Sequence, residues 1–129
     1  MSGKKIMIVD DSKLLLQITK DILENEGYQV ITRENPIGTT AAIRNEKPDC
    51  LLLDVNMPGL SGSEVMDFIS ISNRHDQKII FHSSMDEEKL RKLAEEKGAD
   101  GFIKKTNNQS LFISQLKTIM DNPLSREIN

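Results

Sequence analysis

The chain has 129 residues, is 37% hydrophobic and 29% charged, and carries a formal net charge of -3, which fits one globular domain and argues against disorder. That balance gives no electrostatic footprint for nucleic acid, and no long basic run suggests an acidic membrane surface. The lone cysteine, Cys50, cannot close an internal disulfide, no Cys/His spacing resembles a zinc site, and no signal-peptide core or membrane-length apolar run is seen, so a reducing cytoplasm is the expected compartment.

Short apolar runs alternate with amphipathic stretches along the whole chain. Lys5 to Val9 reads as a first strand, continuously apolar from Ile6, as expected when a strand is covered on both faces. A helix follows in which Leu15, Ile18 and Ile22 share one face, with Gly27 placed to end it. Tyr28 to Thr32 is the second strand, and Asn35-Pro36 predicts the cap and first position of a second helix. Cys50 to Leu53 is the third strand, again apolar throughout. Ser61-Gly62-Ser63-Glu64 has capping-box spacing ahead of Val65, Met66, Phe68 and Ile69, which predicts a third helix. Asn73 to Gln77 reads as a loop, Ile79 to His82 as the fourth strand. Ser84-Met85-Asp86-Glu87 repeats the capping-box spacing before Leu90, Leu93 and Ala94, with Gly98 as the stop. Gly101 to Ile103 is the fifth strand, and the last helix carries Phe112, Leu116, Ile119 and Met120 on one stripe before Asn122-Pro123. The domain is expected over residues 1–121 and a flexible tail over 122–129.

Strict alternation of five strands with five helices predicts right-handed βαβ crossovers and a doubly wound α/β parallel sheet, whose functional site lies at the carboxyl ends of the strands. Polar residues cluster at those ends: Asp10 and Asp11 after the first strand, Asp54 after the third, Ser83 after the fourth, and Lys104-Lys105 after the fifth. Carboxylates crowded together raise one another's pKa values, so the arrangement asks for a cation. Hard oxygen donors without His or Cys point to Mg²⁺, which binds oxygens at about 2.0–2.1 Å and keeps several waters. A divalent ion beside a carboxylate, a hydroxyl and a lysine suits phosphoryl transfer to an aspartate. Asp54 is the better nucleophile candidate, because it stands alone on a central strand ahead of the irregular Met57-Pro58-Gly59.

The motifs Ile8-Val9-Asp10-Asp11-Ser12, Leu52-Leu53-Asp54-Val55-Asn56-Met57-Pro58-Gly59-Leu60-Ser61-Gly62, Phe81-His82-Ser83-Ser84 and Gly98-Ala99-Asp100-Gly101-Phe102-Ile103-Lys104-Lys105 occur in that order. Together they resemble the receiver domain of bacterial two-component response regulators, of the single-domain, chemotaxis-regulator-like kind, from about Lys4 to Met120. The resemblance implies a flavodoxin-like sheet of order 2-1-3-4-5. It makes Asp54 the phosphoacceptor and a metal ligand, Asp10 and Asp11 ligands of Mg²⁺, and Asn56 a ligand through its backbone carbonyl. It makes Ser83 the switch hydroxyl, Lys105 the phosphoryl contact and Phe102 the switch aromatic. The implied partners are a sensor histidine kinase or phosphotransfer protein and a downstream protein target, read from the fourth helix, fifth strand and fifth helix, with an activation-dependent homodimer also compatible. Neither nucleic acid nor a membrane is expected as partner.

Thr106 departs from the family's proline after the lysine, which predicts a trans or a strained peptide there. Ser84, where the family prefers alanine, is a candidate cap for the helix that follows. His75 and His82 read as surface or packing residues. Two other readings compete: a pseudo-receiver that binds without being phosphorylated, and a haloacid dehalogenase-like phosphatase. The latter uses a second aspartate two residues after the nucleophile, where this chain has Asn56.

Overall fold

The structure is a computed structural model, and it describes residues 3–57, 64, 66–67 and 77–122. In chain order the elements are β1 (Lys5–Val9), α1 (Lys13–Asn25), β2 (Gln29–Arg33), α2 (Thr39–Glu46), β3 (Cys50–Leu53), β4 (Lys78–Ser83), α3 (Glu87–Lys97), β5 (Gly101–Lys104) and α4 (Gln109–Asp121). The five strands form one parallel sheet in the order β2-β1-β3-β4-β5, as the alternating pattern predicts. Four helices are defined among the described residues, one fewer than the pattern predicts. The helix expected after Ser61 falls largely outside those residues, as does the tail at 123–129; of it, Glu64, Met66 and Asp67 are described and helical.

Alternate side chains of the central strands point to opposite faces, which builds two apolar layers. Met7, Val9, Leu51, Leu53, Ile79 and Phe81 pack with Ile43, Met66, Leu90 and Ala94 on one side. Ile6, Ile8, Cys50, Leu52, Ile80 and Ile103 pack with Leu16, Leu23, Phe112, Leu116 and Met120 on the other. Among the described residues no helix is long and apolar enough to cross a membrane.

Helix ends follow local hydrogen bonding, and two differ from the sequence pattern. α2 starts at Thr39 rather than after Asn35-Pro36. Asn35 Oδ1 accepts from Ile37 N at 2.9 Å and Pro36 O from Thr39 N at 3.1 Å, so these residues close a turn. Gly38, left-handed at φ 86°, then becomes the N-cap, a conformation that glycine adopts without a Cβ penalty. α3 is capped by Asp86, which accepts from Lys89 N at 3.2 Å, and not by Ser84. α1 also turns a different face inward. Its buried residues are Leu16, Thr19 and Leu23, while Leu15 and Ile18 of the expected core stripe remain 37% and 44% exposed. Apolar residues cover so wide an arc of this helix that spacing alone does not select the buried side.

Lys78, Cys50 and His82 are among the polar or polarisable residues that sit inside. Lys78 Nζ reaches the last turn of α4 and donates to Ile119 O at 2.5 Å and Met120 O at 3.1 Å, satisfying carbonyls that a helix end leaves open. Cys50 is fully buried, and burial pushes its thiol far above the usual range. His82 is 8% exposed and stacks on Phe112, ring centroids 5.3 Å apart. Burial lowers its pKa to about 4, and the positive charge of Lys105 adds to the effect.

Folded His82 therefore stays neutral where an unfolded histidine takes a proton, near pH 6.5. Its contribution is complete above that value and is lost as the pH falls towards 4, up to about 3 kcal/mol. Urea unfolding of the native chain and His82→Phe across this window should give difference curves that diverge on acidification, with the variant losing less stability. Parallel curves would refute the buried neutral histidine.

Candidate functional site

The parallel ladder runs one rung beyond the strands, and this is what places the polar side chains. Asp10 N donates to Arg33 O at 3.1 Å, Asp54 N to Val9 O at 2.9 Å and Lys105 N to Ser83 O at 2.8 Å. Asp10 and Asp54 each follow a buried apolar run and Lys105 follows β5, so each backbone is anchored while its side chain reaches the carboxyl rim of the sheet.

Two further bonds aim the carboxylates. Asp10 Oδ1 accepts from Ser12 N and Asp54 Oδ1 from Asn56 N, each at 2.9 Å and two residues ahead, the geometry of an Asx turn. The second oxygen of each is thereby turned inward to Lys105. Its Nζ lies 2.8 Å from Asp10 Oδ2 and 3.4 Å from Asp54 Oδ2. Asp10 and Asp54 are 3% and 4% exposed, so water does little to screen these charges. Asp11 is exposed, yet it offers a ligand oxygen that lies with those of Asp10 and Asp54 within a mutual 4.8 Å.

Electrostatics follow from this crowding. Burial raises the pKa of Asp54 from its ordinary value and the charge of Asp10 adds to it, against the Asn56 amide and Lys105. Burial alone would lower the pKa of Lys105, but its bond to Asp10 and the charge of Asp54 outweigh that and raise it. Excess negative charge, hard oxygen donors and closely spaced ligand atoms all fit a small divalent cation such as Mg²⁺.

The remaining predicted positions lie around this centre. Ser83 is 1% exposed at the end of β4, with its Oγ accepting from Met85 N at 3.2 Å. Asn56 is exposed and meets Asp54 through its backbone N–H. Phe102 is half-buried against the layer that holds Met85 and Leu93. Lys104 is exposed, whereas Lys105 makes the ion pairs, so the structure separates two lysines that adjacency in sequence does not. No cis peptide occurs among the described residues, including Lys105-Thr106. His75 and the loop from Pro58 onward lie outside the described residues.

Two features escaped sequence reasoning. Arg33, at the end of β2, supplies the carbonyl that holds Asp10; an arginine closing an edge strand carries no signal of that role. The second is an apolar groove between α1 and α4 that opens beside Lys105 and is lined by Leu15, Ile18, Ile22, His82 and Phe112. A leucine-isoleucine helix surface is indistinguishable in sequence from a core stripe.

The family model described as response regulator receiver domain matches residues 6–117. The polar-differentiation response regulator DivK of Brucella anthropi is 30% identical over 122 residues, covering 91% of this chain and 96% of that protein. Among solved structures, the chemotaxis protein CheY4 of Vibrio cholerae superposes with a TM-score of 0.82 at 23% identity, over 92% of this chain and 99% of that one. The response regulator TrrA of Thermotoga maritima, solved in complex with Mg(2+)-BeF, gives 0.78 at 28% identity over 90% and 98% of the two chains. A rim of buried acids tied to one lysine, on a sheet of this order, thus coincides with a family match over most of the sequence, and the chain belongs to the response regulator receiver domain family.

Proposed function

We propose that this chain is a phosphorylation switch in which Asp54 takes a phosphoryl group from a phosphohistidine of a sensor histidine kinase or phosphotransfer protein. The observation that carries the reading is the convergence of Asp10 Oδ2 and Asp54 Oδ2 on Lys105 Nζ, at 2.8 and 3.4 Å, with ligand oxygens of Asp10, Asp11 and Asp54 within 4.8 Å of one another. The residues that would hold Mg²⁺ are Asp10, Asp11 and Asp54, joined by the backbone carbonyl of Asn56. Bound there, the ion neutralises charge on the phosphoryl oxygens.

Asp54 attacks phosphorus through a carboxylate oxygen. The P–N bond to the donor imidazole breaks, its electron pair returns to nitrogen, and an acyl phosphate forms on Asp54. Lys105, freed from Asp54 by the new bond, turns its ammonium to the phosphoryl oxygens. Ser83 gives up its bond to Met85 N and donates its hydroxyl proton to the phosphoryl group. Phe102 follows into the space beneath, which changes the α3–β5–α4 face offered to a downstream protein.

The donor is proposed to dock across α1 and the start of α4. Leu15 and Ile18, 37% and 44% exposed, line the apolar groove beside the lysine, and Leu14 and Leu111, 70% and 45% exposed, are further apolar side chains on the same two helices. A helical partner would lay its own apolar face on that surface and bring the phosphohistidine to the rim.

The native chain should incorporate label from acetyl phosphate with Mg²⁺ and lose it on adding EDTA, and Asp54→Asn should incorporate none. Label retained on that variant would refute Asp54 as acceptor.

Ile18→Asp should leave acetyl phosphate labelling unchanged and slow transfer from whichever purified histidine kinase of the host proves fastest, by about tenfold, the worth of one buried aliphatic contact. An unchanged transfer rate would rule out docking on α1.

A further inference from the structure

Among the described residues, only two buried side-chain polar atoms lack a hydrogen-bond partner, Arg33 Nε and Thr39 Oγ1, and both belong to the junction of β2 and α2. Buried polar groups are almost always paired, so two orphans flanking one glycine are a local anomaly. Arg33 donates through Nη2 to Ile37 O at 3.0 Å, and no carboxylate among the described residues pairs with it. Its guanidinium lines a cavity of about 300 Å³ together with Ile31, Gly38, Ala42, Asn45 and Glu46. Gly38 is left-handed at φ 86°, and a Cβ there would stand 3.1 Å from Arg33 Nη2. The absence of a side chain at Gly38 leaves the guanidinium its place against the turn.

An arginine fork held by one backbone carbonyl, ion-paired to no carboxylate among the described residues and bordering open space, has the donor geometry that recognises a planar or tetrahedral oxyanion. We infer that the cavity between β2 and α2 is a binding site for a small oxyanion, a carboxylate or a phosphate, gripped by the guanidinium of Arg33. Asn45 supplies an amide at the wall, and Glu46 adds a like charge that weakens the grip. The site is separate from the acidic rim, but it is joined to it by one bond, because Arg33 O accepts from Asp10 N at 3.1 Å. The inference does not rest on phosphorylation of Asp54.

The test is a titration of the ¹⁵N-labelled full chain in metal-free buffer, at ionic strength held with NaCl, using sodium phosphate and sodium acetate as separate probes. Saturating shifts of the Arg33 Nε–H signal and of the Gly38, Ala41 and Ala42 amides are expected, with a Kd of about 1 mM or tighter. Saturation with only one probe identifies that oxyanion as the ligand class; saturation with both supports the shared chemistry. Arg33→Gln should weaken binding by about tenfold, the loss of one charge-assisted fork, and Glu46→Gln should tighten it. If Arg33→Gln does not fold, the Glu46→Gln arm still decides: tightening supports the site and no change overturns it. Shifts that grow linearly without saturation, or that persist in Arg33→Gln, overturn the inference.

Discussion

Two carboxylates that are nearly shielded from water, held by backbone rungs and facing one ammonium, set the terms for everything else at the rim. Asp10 and Asp54 cannot move apart to relieve their repulsion, because their amides continue the hydrogen-bonded ladder of the sheet. Lys105 offsets one negative charge of the pair, and the third acid, Asp11, leaves the centre further in deficit. The fold thus maintains a charge imbalance that a divalent ion relieves, and it keeps Asp54 less acidic than a solvated carboxylate in the meantime. The apolar strands matter to this chemistry because their burial makes the rungs rigid.

The rim was legible in the sequence because each of its side chains follows directly on a run that has only one way to be buried. Ile6 to Val9 and Cys50 to Leu53 are apolar on both faces, so the next polar residue has to emerge at the strand end, and parallel strands all emerge on the same side. That logic places Asp10, Asp54 and Ser83, and it stops short at Lys104-Lys105, where only the turn of the chain after β5 decides which ammonium points inward.

Elements governed by competing local bonds were harder to read. Asn35-Pro36 has the composition of a helix start, yet the Asn35 side chain closes on Ile37 and postpones the helix to Thr39. Ser84 and Asp86 are both competent caps, and Asp86 is the one whose carboxylate reaches the amide three residues ahead. For α1 the ambiguity is one of supply: more apolar side chains exist than the core accepts. Leu16 and Leu23 enter, with the small Thr19 between them, and Leu15 and Ile18 stay outside beside the lysine. The surplus hydrophobes are the ones proposed to meet the donor. Lys78 is the opposite case, a charged residue that reads as the edge of a strand and lies inside, its amine stitched to the end of α4.

Cys50 sits in the middle of the sheet with no exposed surface and a thiol held firmly in its protonated form. Thiolate is the species that reacts with maleimides and iodoacetamides, so the folded chain is in effect cysteine-free towards such reagents. A spectroscopic reporter can therefore be attached through a single engineered surface cysteine without first deleting the native one, and the core that Cys50 helps to fill need not be disturbed to watch the outer faces move.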